Sequence, residues 1–319
     1  MINRVTQQTM QRSTLYNLQN NLTTMSNLQA RMSSGKAIQR PSDDPSSTGR
    51  TMAFRAEKAA ATQASRNASD GVAWLATIDN TMQSSISALQ RVRDLTVQGA
   101  NSGSVGPTSR EAIATEIDGL RDTLLDLANT NFQGRSVFAG TSNDGVAFDD
   151  GTTGTPYAWH GVGGSSVDRR IGPDATVRVD ADGAAAFGNG ATSVFQLLDD
   201  ISADLRGTAE VSGRLAEIDT RLNGMLAQIA DVGIRYKQVT DAQESIAKTL
   251  QDVTSSIDDV EGIDLAETIM ELKMQEVAYQ GALGATARVL QPTLMGFMRR
   301  ALPSRSTGRV ASCRSSPMN

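Results

Sequence analysis

Residues 215–260 read "LAEIDTRLNGMLAQIADVGIRYKQVTDAQESIAKTLQDVTSSIDDV". Apolar side chains recur at Leu215, Ile218, Leu222, Met225, Ile229, Val232, Tyr236 and Val239, then at Ile246, Leu250, Val253, Ile257 and Val260. Gln243 is the one polar intruder. The steps alternate three and four, which places these positions on one stripe of an α-helix. At ~1.5 Å per residue such a helix is roughly 70 Å long. A stripe this narrow is buried only against partner helices, so a mainly α fold follows from this stretch alone. Gly224 and Gly233 lower helix propensity and mark points for a bend or a close contact.

Shorter seams lie outward from it. Leu15, Leu18, Leu22, Met25 and Met32 share one phase, with Gln29 in the missing step; Leu75, Ile78, Met82, Leu89 and Val92 share another, with Ser85 in the gap. Ile113, Ile117, Leu120, Leu124 and Leu127 make a third, and after Gly262 the pattern resumes at Leu265, Ile269, Leu272, Tyr279 and Leu283, before Pro292. Breaks are predicted from Gly35 to Pro45 and in "GANSGSVGPTS", residues 99–109.

The middle differs. Residues 140–195 hold 11 of the 28 glycines. "TPYAWHG" (155–161), "ATVRVDADG" (175–183) and "AAAFG" (184–188) predict short strands joined by Gly-rich turns. The expected architecture is mainly α: an elongated antiparallel helical bundle or coiled-coil rod with a small β-rich head insertion. The chain goes out along helices and returns along one long helix, so its ends lie near each other. The expected divisions are an N-terminal helix at 1–41, the two halves of the rod at 42–138 and 196–262, the head at 139–195, a C-terminal helix at 263–298 and a basic low-complexity tail at 299–319.

Composition narrows the chemistry. One His (His160) and one Cys (Cys313) among 319 residues leave little for a Cys/His metal site, a His-based triad or a disulfide. Aromatic residues are 4%, which leaves few aromatic-lined pockets, and a net charge of −5 argues against nucleic acid as the main partner. No run of ~18 apolar residues offers a membrane span. The opening "MINRVTQQTMQRSTLYNLQNN" has no apolar core, so a Sec-type signal peptide is not expected.

Several motifs invite a catalytic reading and fail it. "SSGK", residues 33–36, has Ala30 and Ala37 where a phosphate loop needs Gly and Ser or Thr, so Gly35 is expected to cap a helix C-terminus. Ser42 or Asp43 is expected to cap a helix starting near Pro45, in place of a paired-carboxylate site. "DADG", residues 180–183, lacks the flanking acids of a calcium loop and predicts a hairpin turn. His160 is expected on a surface β segment, and "GVGGSS", residues 161–166, neither follows a clear strand nor opens a helix. No cofactor or metal is expected. The long central seam is expected to be intramolecular core. The segments 1–34 and 264–297 are expected to pack between molecules, because two short amphipathic helices bury little by themselves.

"LQARMSSGKAIQRPSDDPSSTGR", residues 28–50, resembles the N-terminal signature of the flagellin superfamily, in the form its hook-associated branch carries. "NFQGRSVFAGTSND", residues 131–144, is similar to that branch's entry into its head domain, and "MQEVAYQGALGATARVLQPTLMGFM", residues 274–298, resembles the matching C-terminal helix. The resemblance implies a non-enzymatic structural protein of the bacterial flagellum, at the junction of hook and filament. It implies passage unfolded through the flagellar type III export apparatus, a cytosolic export chaperone, and contacts with a hook-side hook-associated protein and with flagellin. It further implies terminal helices that pair on assembly into a helical zone, with Leu15, Leu18, Leu22, Met25, Leu265, Ile269, Leu272, Tyr279 and Leu283 carrying subunit packing. A divergent flagellin forming the filament itself is the alternative. Chains of the family stop near Phe297 to Arg299. Here "RRALPSRSTGRVASCRSSPMN" continues with five Arg and no acid, a break in composition expected of a frameshifted or readthrough end or of a genuine added tail.

Overall fold

A helix, α6 (Arg214–Glu261), forms where the long seam lies. The computed structural model describes residues 7–101, 106–150, 155–207 and 210–300, and the tail from residue 301 on, Cys313 included, falls outside the described residues. The chain divides into two compact units, Ala53–Ser256 on one hand and Met1–Met52 with Ile257–Asn319 on the other.

In the Ala53–Ser256 unit the seam resolves into two columns. Ile218, Met225, Val232, Val239, Ile246 and Val253, one residue in seven, are buried. Leu215, Leu222, Ile229 and Leu250 in the other column are half covered. The central seam is thus intramolecular core, as its length and neighbours suggested. The opposing surface comes from α2 (Pro45–Ala100), where Leu75, Ile78, Met82, Leu89 and Val92 are buried. Ser85 fills the gap in that stripe, and its hydroxyl donates to the Thr81 carbonyl at 2.8 Å, so no polar group is left unpaired there.

Two polar contacts give α2 and α6 their direction. Arg93 Nε lies 2.7 Å from Asp219 Oδ1, and Gln243 Nε2 donates to Ser69 Oγ at 3.2 Å. On each helix the contact residues are twenty-four apart, in opposite order, so the helices run antiparallel without a slip in register. Gln243 therefore has a partner for its amide in the seam it interrupts.

The helix α3 (Pro107–Ala128) buries Ile113, Ile117 and Leu124 of its seam and packs on α5 (Val194–Gly207), which buries Phe195, Leu198, Ile201 and Leu205. Asp118 of α3 accepts from Ser202 Oγ at 2.7 Å and from Arg206 Nη2 at 2.6 Å on α5.

Between these two helices lies the insertion, which holds less β structure than its sequence suggests. Strands β1 (Asn131–Phe132) and β2 (Arg135–Ser136) form a hairpin, and β3 (Asp168–Arg170) pairs antiparallel with β4 (Thr176–Arg178). Gln133 and Gly134 both take positive φ, 52° and 79°, as a two-residue hairpin turn requires. "TPYAWHG" contributes one bridge, Trp159 with Phe148. "AAAFG" is helical: α4 spans Gly183–Phe187, capped by Asp182, whose Oδ1 accepts from the Ala185 amide at 3.2 Å. "DADG" is accordingly a helix start rather than a hairpin turn. Consecutive alanines favour the helix, and the Asp side chain satisfies its first free amide. The unifying element is an aromatic cluster of Phe138, Phe148, Tyr157, Phe187 and Phe195, whose contacting rings lie 5.2–5.8 Å apart. The few aromatic residues are concentrated where regular structure is scarcest, because edge-to-face rings bury much area with little backbone order.

Candidate assembly interface

In the Met1–Met52 with Ile257–Asn319 unit, the helix α1 (Gln7–Ser34) ends at Gly35. Gly35 takes φ 69°, and its amide donates to the Arg31 carbonyl at 2.9 Å, as the expected C-terminal cap does. The two aspartates that follow have separate tasks. Asp43 Oδ2 accepts from the Arg40 and Gln39 amides at 2.9 and 3.3 Å, tightening the connector. Asp44 Oδ1 accepts from the Ser46 and Ser47 amides at 3.0 and 3.1 Å. The cap of α2 is therefore Asp44, one or two residues later than the sequence suggested. Pro45 occupies the first helical position, and the residue just before that position is the one able to cap. Hydrogen bonds from the Ser47 hydroxyl and amide, joined by the Ser46 amide, hold the Asp44 carboxyl below the usual aspartate range.

The same device recurs at the C-terminal connector. Asp264 Oδ1 accepts from the Ala266 and Glu267 amides at 2.8 and 3.1 Å and caps α7 (Leu265–Arg300). Thr48 and Thr268 stand four residues beyond their aspartates, and each donates its hydroxyl to that aspartate's carbonyl, at 2.8 and 2.7 Å. The two connectors then meet. Lys36 and Gly262 form an antiparallel bridge, the Ala37 amide donates to the Glu261 carbonyl at 2.7 Å, and Lys36 Nζ lies 3.0 Å from Glu261 Oε2.

From this clasp α1 and α7 pack on each other. Leu28, Thr268 and Leu272 are buried along the contact, and Gln275 Nε2 donates to the Asn21 carbonyl at 3.5 Å. Of the nine residues assigned to packing between molecules, Leu272 is buried here, while Leu18, Met25 and Tyr279 are half-buried. Leu15, Leu22, Leu265, Ile269 and Leu283 are exposed, Leu15 at 59%. Two helices share one seam, so part of each wider apolar stripe stays in water.

A second stripe on α7 was not singled out from the sequence. Met270, Met274 and Val277 are 64–69% exposed, and their spacing of four and three was legible. Ten of the sixteen large apolar side chains exposed among the described residues lie in this unit. On one edge of the helix pair a groove of ≈ 370 Å³ opens, lined by Thr24, Asn27, Leu28, Arg31, Glu271, Met274 and Gln275.

The other motifs do not build a reaction centre. Lys36 of "SSGK" is engaged with Glu261. His160 Nε2 lies 2.9 Å from Asp149 Oδ1 and its Nδ1 lies 3.8 Å from Asp144 Oδ2, both on neighbouring loops. Asp180 is fully buried, accepting from the Val167 amide at 2.8 Å and from the fork of Arg178. The cavity beside it, bordered by Val162, Gly164 and Ser165 of "GVGGSS", is ≈ 30 Å³, one water's worth of space and far too small for a nucleotide. Among the described residues no group of three or more His, Cys, Asp or Glu side chains is placed to hold a metal, and no helix is long and apolar enough to cross a membrane.

Both helical ends of the chain match known families. Residues 5–143 match the bacterial flagellin N-terminal helical region, and residues 215–296 match the bacterial flagellin C-terminal helical region. The chain is 24% identical over 311 residues to flagellar hook-associated protein 3 of Salmonella typhimurium, covering 88% of this chain and 94% of that one. It is also 24% identical over 289 residues to flagellin of Bacillus subtilis, covering 85% and 91%. Among solved structures, a flagellar hook-associated protein of Vibrio parahaemolyticus superposes with a TM-score of 0.63 at 21% identity, over 69% of this chain and all of that one. The flagellar junction protein FlgL of Legionella pneumophila superposes with a TM-score of 0.56 at 14% identity, over 66% of this chain and 99% of that one. At these identities the superpositions speak for the fold.

Proposed function

Since the chain belongs to the bacterial flagellin family, we propose that it is a non-enzymatic structural component of the flagellum, seated at the junction between hook and filament. In this role one face of the subunit fits the hook-side hook-associated protein and the other presents a lattice on which flagellin adds. The observation that carries the reading is the α1·α7 pair. It joins the two ends of the chain and keeps Leu15, Leu22, Leu265, Ile269 and Leu283 in water, an arrangement that favours burial against further copies. Relatives along most of the chain that are named as hook-associated protein 3 support the junction. Export through the flagellar type III apparatus with a cytosolic chaperone belongs to the same reading.

Immunogold labelling of intact flagella, with antibody raised against residues 140–195, tests it. A single band between hook and filament is expected. Label along the whole filament would make the protein a filament-forming flagellin, the reading that the likeness to Bacillus subtilis flagellin favours. Flagella without label would overturn both.

A further inference from the structure

Sulfur is unevenly placed along the chain. The single cysteine, Cys313, stands outside the described residues, so the sulfur chemistry of the described fold is that of methionine. In the Ala53–Ser256 unit, Met82 on α2 and Met225 on α6 are fully buried. In the other unit Met25 and Met32 on α1 are half-buried, while Met270 and Met274 on α7 are 64% and 68% exposed. Met52, near the start of α2, is exposed as well. Met270 and Met274 stand four residues apart, about one helical turn, so their thioethers share one face that Val277 continues. Met274 also borders the groove beside Arg31. Thioethers in water on a helix face meet a dissolved oxidant directly, whereas those packed in a core do not.

We infer that Met270 and Met274 form a site of reversible oxidation, which takes a peroxide-class oxidant and switches the α7 stripe from apolar to polar. The sulfur lone pair attacks one oxygen of the peroxide, and the S–O bond forms as the O–O bond breaks. The leaving hydroxide takes the proton of the transferred oxygen and departs as water. Each thioether is thereby oxidised by two electrons, and the peroxide is reduced by the same two. The product is a sulfoxide, a polar and chiral group in place of a flexible apolar one. Pressed against an apolar surface, its oxygen has no donor, so burial of the stripe is disfavoured. Both changes fall on one patch, because the two sulfurs stand one turn apart. What the switch means for packing rests on the structural-component reading above; the chemistry of the site does not.

Peptide mass spectrometry of the purified full-length chain under graded hydrogen peroxide tests the site. Met270 and Met274, together with Met52, are expected to gain one oxygen well before Met82 and Met225. Binding of an apolar fluorescent dye reads the stripe. It is expected to fall once both sulfurs are converted and to return on treatment with a pair of methionine sulfoxide reductases, one for each epimer. A chain carrying Met270→Leu and Met274→Leu should keep its dye binding in peroxide. Both positions are exposed, so leucine there disturbs no core. Met52→Leu controls for an exposed thioether off the stripe and should leave the loss unchanged. Oxidation of Met82 and Met225 as fast as that of the α7 pair would overturn the site. Dye binding that survives conversion, a loss the reductases do not reverse, or protection by Met52→Leu alone would overturn the switch. None of these readings needs the chain to sit on a flagellum, which the gold label reads separately, so either result can fail without the other.

Discussion

Lys36 Nζ lies 3.0 Å from Glu261 Oε2, and the two residues differ sharply in exposure: the lysine side chain is about half exposed, the glutamate side chain is at 10%. The Ala37 amide also reaches the Glu261 carbonyl, so backbone and side chain clasp the two connectors at one point. Removing one partner has unequal consequences. Lys36→Met takes one cation away from a carboxylate in a poorly hydrated place, whereas Glu261→Gln leaves an ammonium group that water can reach. Lys36→Met is expected to destabilise the α1·α7 unit by about 1–2 kcal/mol and Glu261→Gln by less. Amide exchange along α1 and α7, compared with α3, reads the difference. Equal loss in both variants would refute the asymmetry.

The two columns of the α6 seam predict a contrast within one helix. Met225 is fully buried, while Tyr236, on the same predicted stripe, is 38% exposed. Met225→Ala is expected to cost about 2–5 kcal/mol, as large-to-small core changes do, and Tyr236→Ala less than about 1 kcal/mol. Thermal unfolding followed by circular dichroism separates them, and a comparable loss at both positions would contradict the packing described.

Asp44 gives a pH signature. Its folded-state carboxyl is held below the usual range, first by its bond with the Ser47 hydroxyl and then by the capping amides. A depressed carboxyl contributes stability above its unfolded value and loses that contribution as pH falls through the folded value. Exchange of the Ser46 and Ser47 amides, corrected for intrinsic rate, is expected to quicken on acidification below the ordinary aspartate range. Asp44→Ala should show the faster exchange at neutral pH and lose the acid-dependent part, whereas Asp43→Ala should loosen Gln39 and Arg40 instead.

The insertion has a backbone requirement at Gly188. It takes φ 83°, and a Cβ there would meet the Thr192 carbonyl at 2.3 Å. Gly188→Ala therefore combines a disfavoured conformation with a backbone clash and is expected to unravel the aromatic cluster around Phe187. Gly163→Ala, where nothing lies within 4 Å of the added carbon, is the matched control and should leave the cluster intact. Ring-current-shifted resonances of Phe148, Phe187 and Phe195 report the outcome.

Much of the molecule was decided locally, by period and punctuation. The three-and-four spacing from Leu215 to Val260 specifies a helix and its buried stripe whatever it packs against, because only one face of a 3.6-residue turn repeats at that interval. Gly35 as a helix stop, the breaks at 99–109 and near Gly262, and the flagellin-type run around Ser42-Asp43-Asp44 were likewise legible in the chain itself. The tertiary structure decided matters that depend on which groups meet. The choice of Asp44 over Asp43 as the cap turned on where the free amides of α2 fall. The fate of "AAAFG" turned on Asp182 and on the ring cluster around Phe187, since short apolar runs fit helix and strand alike. The division of the terminal stripes into a buried seam, an exposed ridge and a groove arose only once α1 lay against α7. A stripe records which side chains avoid water, and only the width of the partner says how many of them it covers.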